Sequence, residues 1–120
     1  MRRDANDKKW QQIKRLVRER DKSCRLIKVV SVQEAFELKK KANRLLRVLD
    51  TAHIYPVSTH PRLTYVDSNL ILLNRYSHSR LDSFRHPISG VSITYTEAMQ
   101  WWERIAGKKQ WSQLQKEVNK

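Results

Sequence analysis

In the stretch Asn69 to Asp82, NLILLNRYSHSRLD, the hydrophobic pattern changes character halfway. Asn69 to Leu73 is a compact apolar run consistent with a strand. Asn74 and Arg75 make a turn, and Ser77 can cap a short helix carrying His78, Leu81 and Asp82. His78 and Asp82 stand four apart, so a helix puts both on one face. There an imidazole nitrogen and a carboxylate oxygen can hold one cation, or simply form a surface ion pair.

Upstream, Leu46 to Ile54 is again short and apolar, and within it Asp50 to Pro56 reads DTAHIYP. Pro56 and Pro61 bracket a loop in which neither helix nor strand runs far. The local order is therefore strand, long loop, strand, helix. His53 ends the first strand, Asn69 opens the second, and His78 sits in the first turn of the helix.

Farther out the chain reads as helical. Met1 to Arg3 forms a short loose arm, after which Trp10, Ile13, Leu16 and Val17 recur at helical spacing among Lys and Arg residues, giving a basic amphipathic helix from Asp7 to Arg20. Ser31-Val32-Gln33-Glu34 has the form of a capping box. A second helix runs from it to Leu45, with Val32, Ala35, Phe36, Leu38 and Ala42 as its apolar members and Lys39 to Lys41 on its solvated side. Pro87 and Gly90 punctuate the next connection, and Thr94 or Thr96 caps a helix through Ala106 that ends at Gly107. Trp101, Trp102 and Ile105 anchor that helix as core rather than as base-stacking residues. Gln110 to Lys120 reads as one more polar helix.

Composition narrows the function. A chain of 120 residues, 39% hydrophobic and 31% charged, is expected to be one soluble domain. No apolar run spans a bilayer, and the basic start lacks a signal-peptide apolar segment, so a cytoplasmic, intracellular protein is expected. A net charge of +13 calls for a polyanionic partner, with an anionic membrane surface or acidic protein as the competing explanation. Lone Cys24 excludes an intrachain disulfide and a four-cysteine zinc knuckle.

The ordered set His53, Asn69, His78 resembles the HNH endonucleases, also called ββα-metal or His-Me finger nucleases. AHIYP is similar to the family's first-histidine strand, NLILLNRYSH to its asparagine-to-histidine segment, and RERDKSCR to the stretch that often precedes the finger. The flanks through WWERIAG resemble those of small phage-type members, which implies a gene carried by a phage or mobile element. The resemblance implies an α+β fold: a small ββα-metal finger with a two-stranded antiparallel hairpin, flanked by N- and C-terminal helices. It makes residues 1–120 one domain, with the finger at about 46–86 and helical flanks at 5–45 and 94–118.

It also implies the chemistry. His53, Asn69 and His78 are the catalytic candidates: His53 as general base, Asn69 orienting the loop beside it, and His78 with Asp82 holding one divalent ion against the scissile phosphate. Mixed nitrogen and oxygen donors suit Mg²⁺ or Mn²⁺ and also accept Zn²⁺ or Ni²⁺. Arg75, Arg80 and Arg85 flank the metal-bearing helix and are the DNA-backbone candidates; His60 and His86, each before a proline, are surface residues. The chain departs from the family where many members carry a metal-binding Asp or His immediately before the first histidine, for here that residue is Ala52. Asp50 is the nearest acid. It is the further metal candidate beside His78 and Asp82, but three residues from His53 it falls on the opposite face of a regular strand, so it can serve only if a bulge or bend re-aims it.

The function implied is a metal-dependent DNA endonuclease that nicks as a monomer and cuts both strands only when two copies act together, with RNA as a second admissible substrate. An HNH-fold nucleic-acid-binding protein that no longer cleaves is the alternative, motivated by Ala52.

Overall fold

The computed structural model describes residues 4–120, with side chains from residue 8 onward; the loose arm read at Met1 to Arg3 lies outside the described residues. Five α-helices and one two-stranded antiparallel hairpin make an α+β fold in the order α1 (Asp4–Asp21), α2 (Val32–Ala42), β1 (Leu49–His53), β2 (Leu70–Asn74), α3 (Arg75–Asp82), α4 (Tyr95–Ala106) and α5 (Lys108–Val118). The long loop between the strands contains two short 3-10 turns, Pro61–Leu63 and Asp67–Asn69.

The hairpin is the centre of the molecule. Its register runs without interruption from Leu49 opposite Asn74 to His53 opposite Leu70. Side chains alternate between faces. Leu70 and Leu72 pack under α1 against Val17, Trp10, Ile13 and Leu49. Ile71 and Leu73 join Ala52, Leu81, Trp102, Ile105 and Leu114 in the larger core on the other face. All of β2 is buried, which is why its sequence is continuously apolar rather than alternating.

A two-stranded sheet leaves backbone groups unpaired along its outer edges. Side chains take up those of β2. The Asp21 carboxylate at the end of α1 accepts from Leu72 N at 2.9 Å, Cys24 Sγ accepts from Asn74 N at 3.2 Å, and Leu70 O accepts from Arg20 and Gln110. Asp21 is only 1% exposed and is also bound by Arg20 and Arg25, each at 2.7 Å. Burial works against its charge, but these cations and the Leu72 N–H outweigh it and lower its pKa.

Several sequence expectations change in detail. The capping box at Ser31 and Glu34 is present, but α2 ends at Ala42 rather than Leu45, because Asn43 takes φ 51° and the chain continues as a 3-10 turn through Arg47. Leu38 and Ala42 are buried, whereas Val32 and Phe36, expected on the packed face, are 88% and 67% exposed. The first strand starts at Leu49, not Leu46, since that turn consumes the preceding residues. The cap of α3 is Asn74, whose side chain accepts from Ser77 N; Ser77 is buried inside the helix and donates to Pro87 O. Thr94 caps α4 in a capping box with Glu97. Trp102 is core, while Trp101 is half-buried between His86 and Arg104.

Lys22, Asn43 and Phe84 take positive φ, and of these Phe84 is the aromatic one. Past α3, Phe84 N bonds Leu81 O and Arg85 N bonds Arg80 O, the paired bonds of a Schellman ending. That motif puts its next-to-last residue in the left-handed region, where glycine is the usual occupant. Here it is Phe84 at φ 56°, at a cost of roughly 1–2 kcal/mol relative to glycine.

Candidate active site

Helix α3 follows β2 with no intervening loop because Asn74 both ends the strand and caps the helix. This abrupt junction lays the first turns of α3 against the face of the hairpin that carries Asp50 and Ala52. His78 Nδ1 meets Asp50 Oδ2 at 3.0 Å, and His78 Nε2 meets Asp82 Oδ2 at 3.0 Å. Arg75 reaches the same Asp50, with its terminal nitrogen 2.9 Å from Oδ1. No bulge re-aims Asp50. The unbroken register places it on the face opposite His53, and that face is the one α3 covers. The opposition expected to exclude Asp50 is what brings it to His78.

Burial of His78 disfavours a charged ring, but hydrogen bonds and charge from Asp82 and Asp50 outweigh it and raise its pKa above the ordinary imidazole value. For Asp50 burial again acts upward, while Arg75 and His78 more than offset it and lower the pKa. His78 thus lies between two carboxylates that both favour its charged form. Because each carboxylate meets a different ring nitrogen, Asp50, His78 and Asp82 do not converge on one point, and among the described residues no three His, Cys, Asp or Glu side chains do. The donors fit a divalent ion in another way. With Asp50 holding Nδ1–H, Nε2 is left to be deprotonated beside the more exposed Asp82, the usual carboxylate–histidine–metal relay.

His53 lies on the α1 face. Its Nε2 is 3.0 Å from Thr64 O, and a carbonyl can only accept, so Nε2 donates there and Nδ1 is the ring nitrogen left to take a proton. Trp10 of α1 stacks on the imidazole, ring centroids 5.4 Å apart and planes 11° from parallel. Lys9 lies over the Tyr65 ring and Lys14 over Trp10. Asn69 is fully buried behind this loop. Its side chain accepts from Tyr55 N at 2.8 Å and donates to Tyr55 O and Leu63 O, pinning both ends of the segment that supplies Thr64.

The three arginines assigned to DNA have protein partners. Arg75 is tied to Asp50, Arg80 lies over the Tyr76 ring at 4.2 Å, and Arg85 donates to Gly90 O. His60 bonds Thr59, and His86 accepts from Ile88 N and Ser89 N to shape the Pro87 turn. Sequence reasoning missed Trp10 and Thr64, which hold the His53 ring. Trp10 was legible only as one member of an apolar stripe, and no local signal brings a helix more than forty residues away onto a histidine. The strand face shared by Asp50 and Ala52, two residues apart, was the available clue to the carboxylate at His78.

No family model, no curated protein and no solved structure matches this chain. Among the described residues no helix is long and apolar enough to cross a membrane.

Proposed function

We propose that the chain is a metal-dependent DNA endonuclease of the HNH type, hydrolysing a phosphodiester with His53 as general base. The observation that carries the reading is the state of His53. Its Nε2–H is committed to Thr64 O, its ring plane is held by Trp10, and Asn69 braces the loop, so Nδ1 is presented in a fixed direction. An imidazole held in this way can, when neutral, take a proton from water.

His78 and Asp82 would hold one divalent ion, with Asp50 orienting the imidazole and Arg75 orienting Asp50. When bound, such an ion takes up charge on the phosphate and the departing oxygen. His53 and His78 belong to opposite faces of the hairpin, and no strand pairs with β1 on its outer side among the described residues. The reading requires a backbone phosphate at that edge to reach both faces. Lys9 and Lys14, which lie over the Tyr65 and Trp10 rings beside His53, would supply electrostatic attraction for the flanking nucleotides, and the other exposed cations of α1 add to it.

The reading is tested by incubating supercoiled plasmid with the protein in Mn²⁺ or Mg²⁺ and in excess chelator. Nicked circles should form with the cation and not with the chelator, and His78→Ala should lower both Mn²⁺ affinity by calorimetry and nicking. Cleavage undiminished by chelator overturns the metal role. Tight DNA binding without cleavage in any divalent ion supports instead a nucleic-acid-binding protein that keeps the finger, the reading that Ala52 favours.

A further inference from the structure

A cavity of about 320 Å³ opens beside α3, walled by Tyr55, Leu81, Met99 and Trp102 and rimmed by Phe84 and Tyr95. Its volume lies at the small end of ligand sites, roughly 300–1,000 Å³. Asp82 is also part of its lining, so the cavity and the His78 site share a residue. Few polar atoms enter it.

The rim is built at a cost. Phe84 occupies the left-handed position that glycine fills without strain, yet its side chain is 49% exposed and so recovers only part of the burial an aromatic can give. Tyr95, 60% exposed, meets it edge-on at 6.0 Å between centroids. The left-handed turn is the Schellman ending of α3, and it leaves two partly exposed aromatics, Phe84 and Tyr95, facing each other at the cavity mouth.

We propose that this cavity receives one unstacked nucleobase of the DNA strand whose backbone lies at the His78–Asp82 site. The proposal rests on the nucleic-acid reading of that site. The aromatic rings at the cavity, Tyr55, Phe84, Tyr95 and Trp102, can stack on a base, and stacking tolerates all four bases. The net charge of +13 selects a polyanion as the molecule that brings the base. Shared Asp82 sets the distance, so the base belongs to a nucleotide near the phosphate at that site. A base in a continuous duplex is stacked on both sides and must be unpaired to enter. The protein therefore favours single strands, bulges or mismatches over perfect duplex.

The test uses the full chain in chelator, so that no cleavage occurs, with oligonucleotides carrying 2-aminopurine in a single strand, a one-base bulge or a perfect duplex. The wild type should change the probe's fluorescence in the first two and not in the third. Phe84→Gly removes the aromatic and relieves the backbone, so its melting temperature should not fall, while its affinity for single strand and bulge drops roughly fivefold or more. Its duplex affinity should be unchanged. Tyr95→Ser at the exposed rim supplies the same comparison should the glycine variant prove unstable. Equal affinity of wild type and both variants for single strands, or an equal loss for single strand and duplex, overturns the proposal. Binding of free 2-aminopurine riboside without any preference for unpaired DNA overturns it in favour of a small-molecule site. A wild type that never cuts DNA but gives the fluorescence pattern leaves the base cavity standing and removes the nuclease reading.

Discussion

His53, Trp10, Asn69 and Asp50 each act through a few identifiable contacts. Trp10→Phe keeps a ring on the His53 face and should retain most nicking, whereas Trp10→Ala frees the imidazole to rotate about its single bond to Thr64 O and should lower kcat more than it weakens DNA binding. A parallel loss of both would make Trp10 a DNA contact instead. Asn69→Ala removes an acceptor and two donations at once, leaving the Tyr55 amide among the groups without a partner in a buried site. Each orphaned group costs about 1–3 kcal/mol, so denaturant unfolding should register a loss of at least that size. Asp50 teaches the limit of a face rule applied to one strand alone: alternation correctly put it opposite His53, but which face matters depends on where α3 packs.

At the level of elements, the docking of α1 on β2 depends on Asp21. Its pKa is depressed in the fold, so its contribution is fully present above the unfolded aspartate value near 3.9 and is lost as pH falls through the lower folded value. Asp21→Asn keeps the shape but removes the charge shared by Arg20 and Arg25, which keep their backbone carbonyl partners; losing charged hydrogen bonds of this kind costs about 1.5–3 kcal/mol. Thermal melts from neutral to acid pH should show the variant less stable at pH 7 and less sensitive to acid below pH 4; identical pH profiles would remove Asp21 as the acid-labile link. Elements were legible where the signal is local. The strand-loop-strand-helix order followed from NLILLNRYSH and the prolines, and the α2 start from Ser31 and Glu34. Misassignments arose where tertiary contacts decide between equal local candidates: Asn74 and Ser77 both cap well, but Ser77 is drawn inward by Pro87 O. Val32 and Phe36 keep helical spacing yet lie on the exposed side of α2, which periodicity alone does not distinguish.

For the whole molecule, the charge of +13 and the position of its cations should appear as a salt dependence. Log K for DNA should fall linearly with log salt, by about 0.9 per phosphate neutralised. Replacing Lys14, Arg15 or Arg18 of α1 by Ala should reduce the slope by about one each, whereas Arg75→Ala should reduce it less because its guanidinium serves Asp50. A flat salt response would assign the basic surface to another partner. The proposed role of His53, taking a proton from the attacking water, is tested by single-turnover nicking of supercoiled plasmid by wild type and His53→Ala in Mn²⁺, compared at equal fractions of DNA bound. Nicked circles are expected from the wild type, with a rate lower by about 100-fold or more for the variant and unchanged DNA affinity and melting temperature. Equal rates for the two proteins, or no nicking by wild type at saturating binding in Mg²⁺, Mn²⁺, Zn²⁺ or Ni²⁺, would contradict that role.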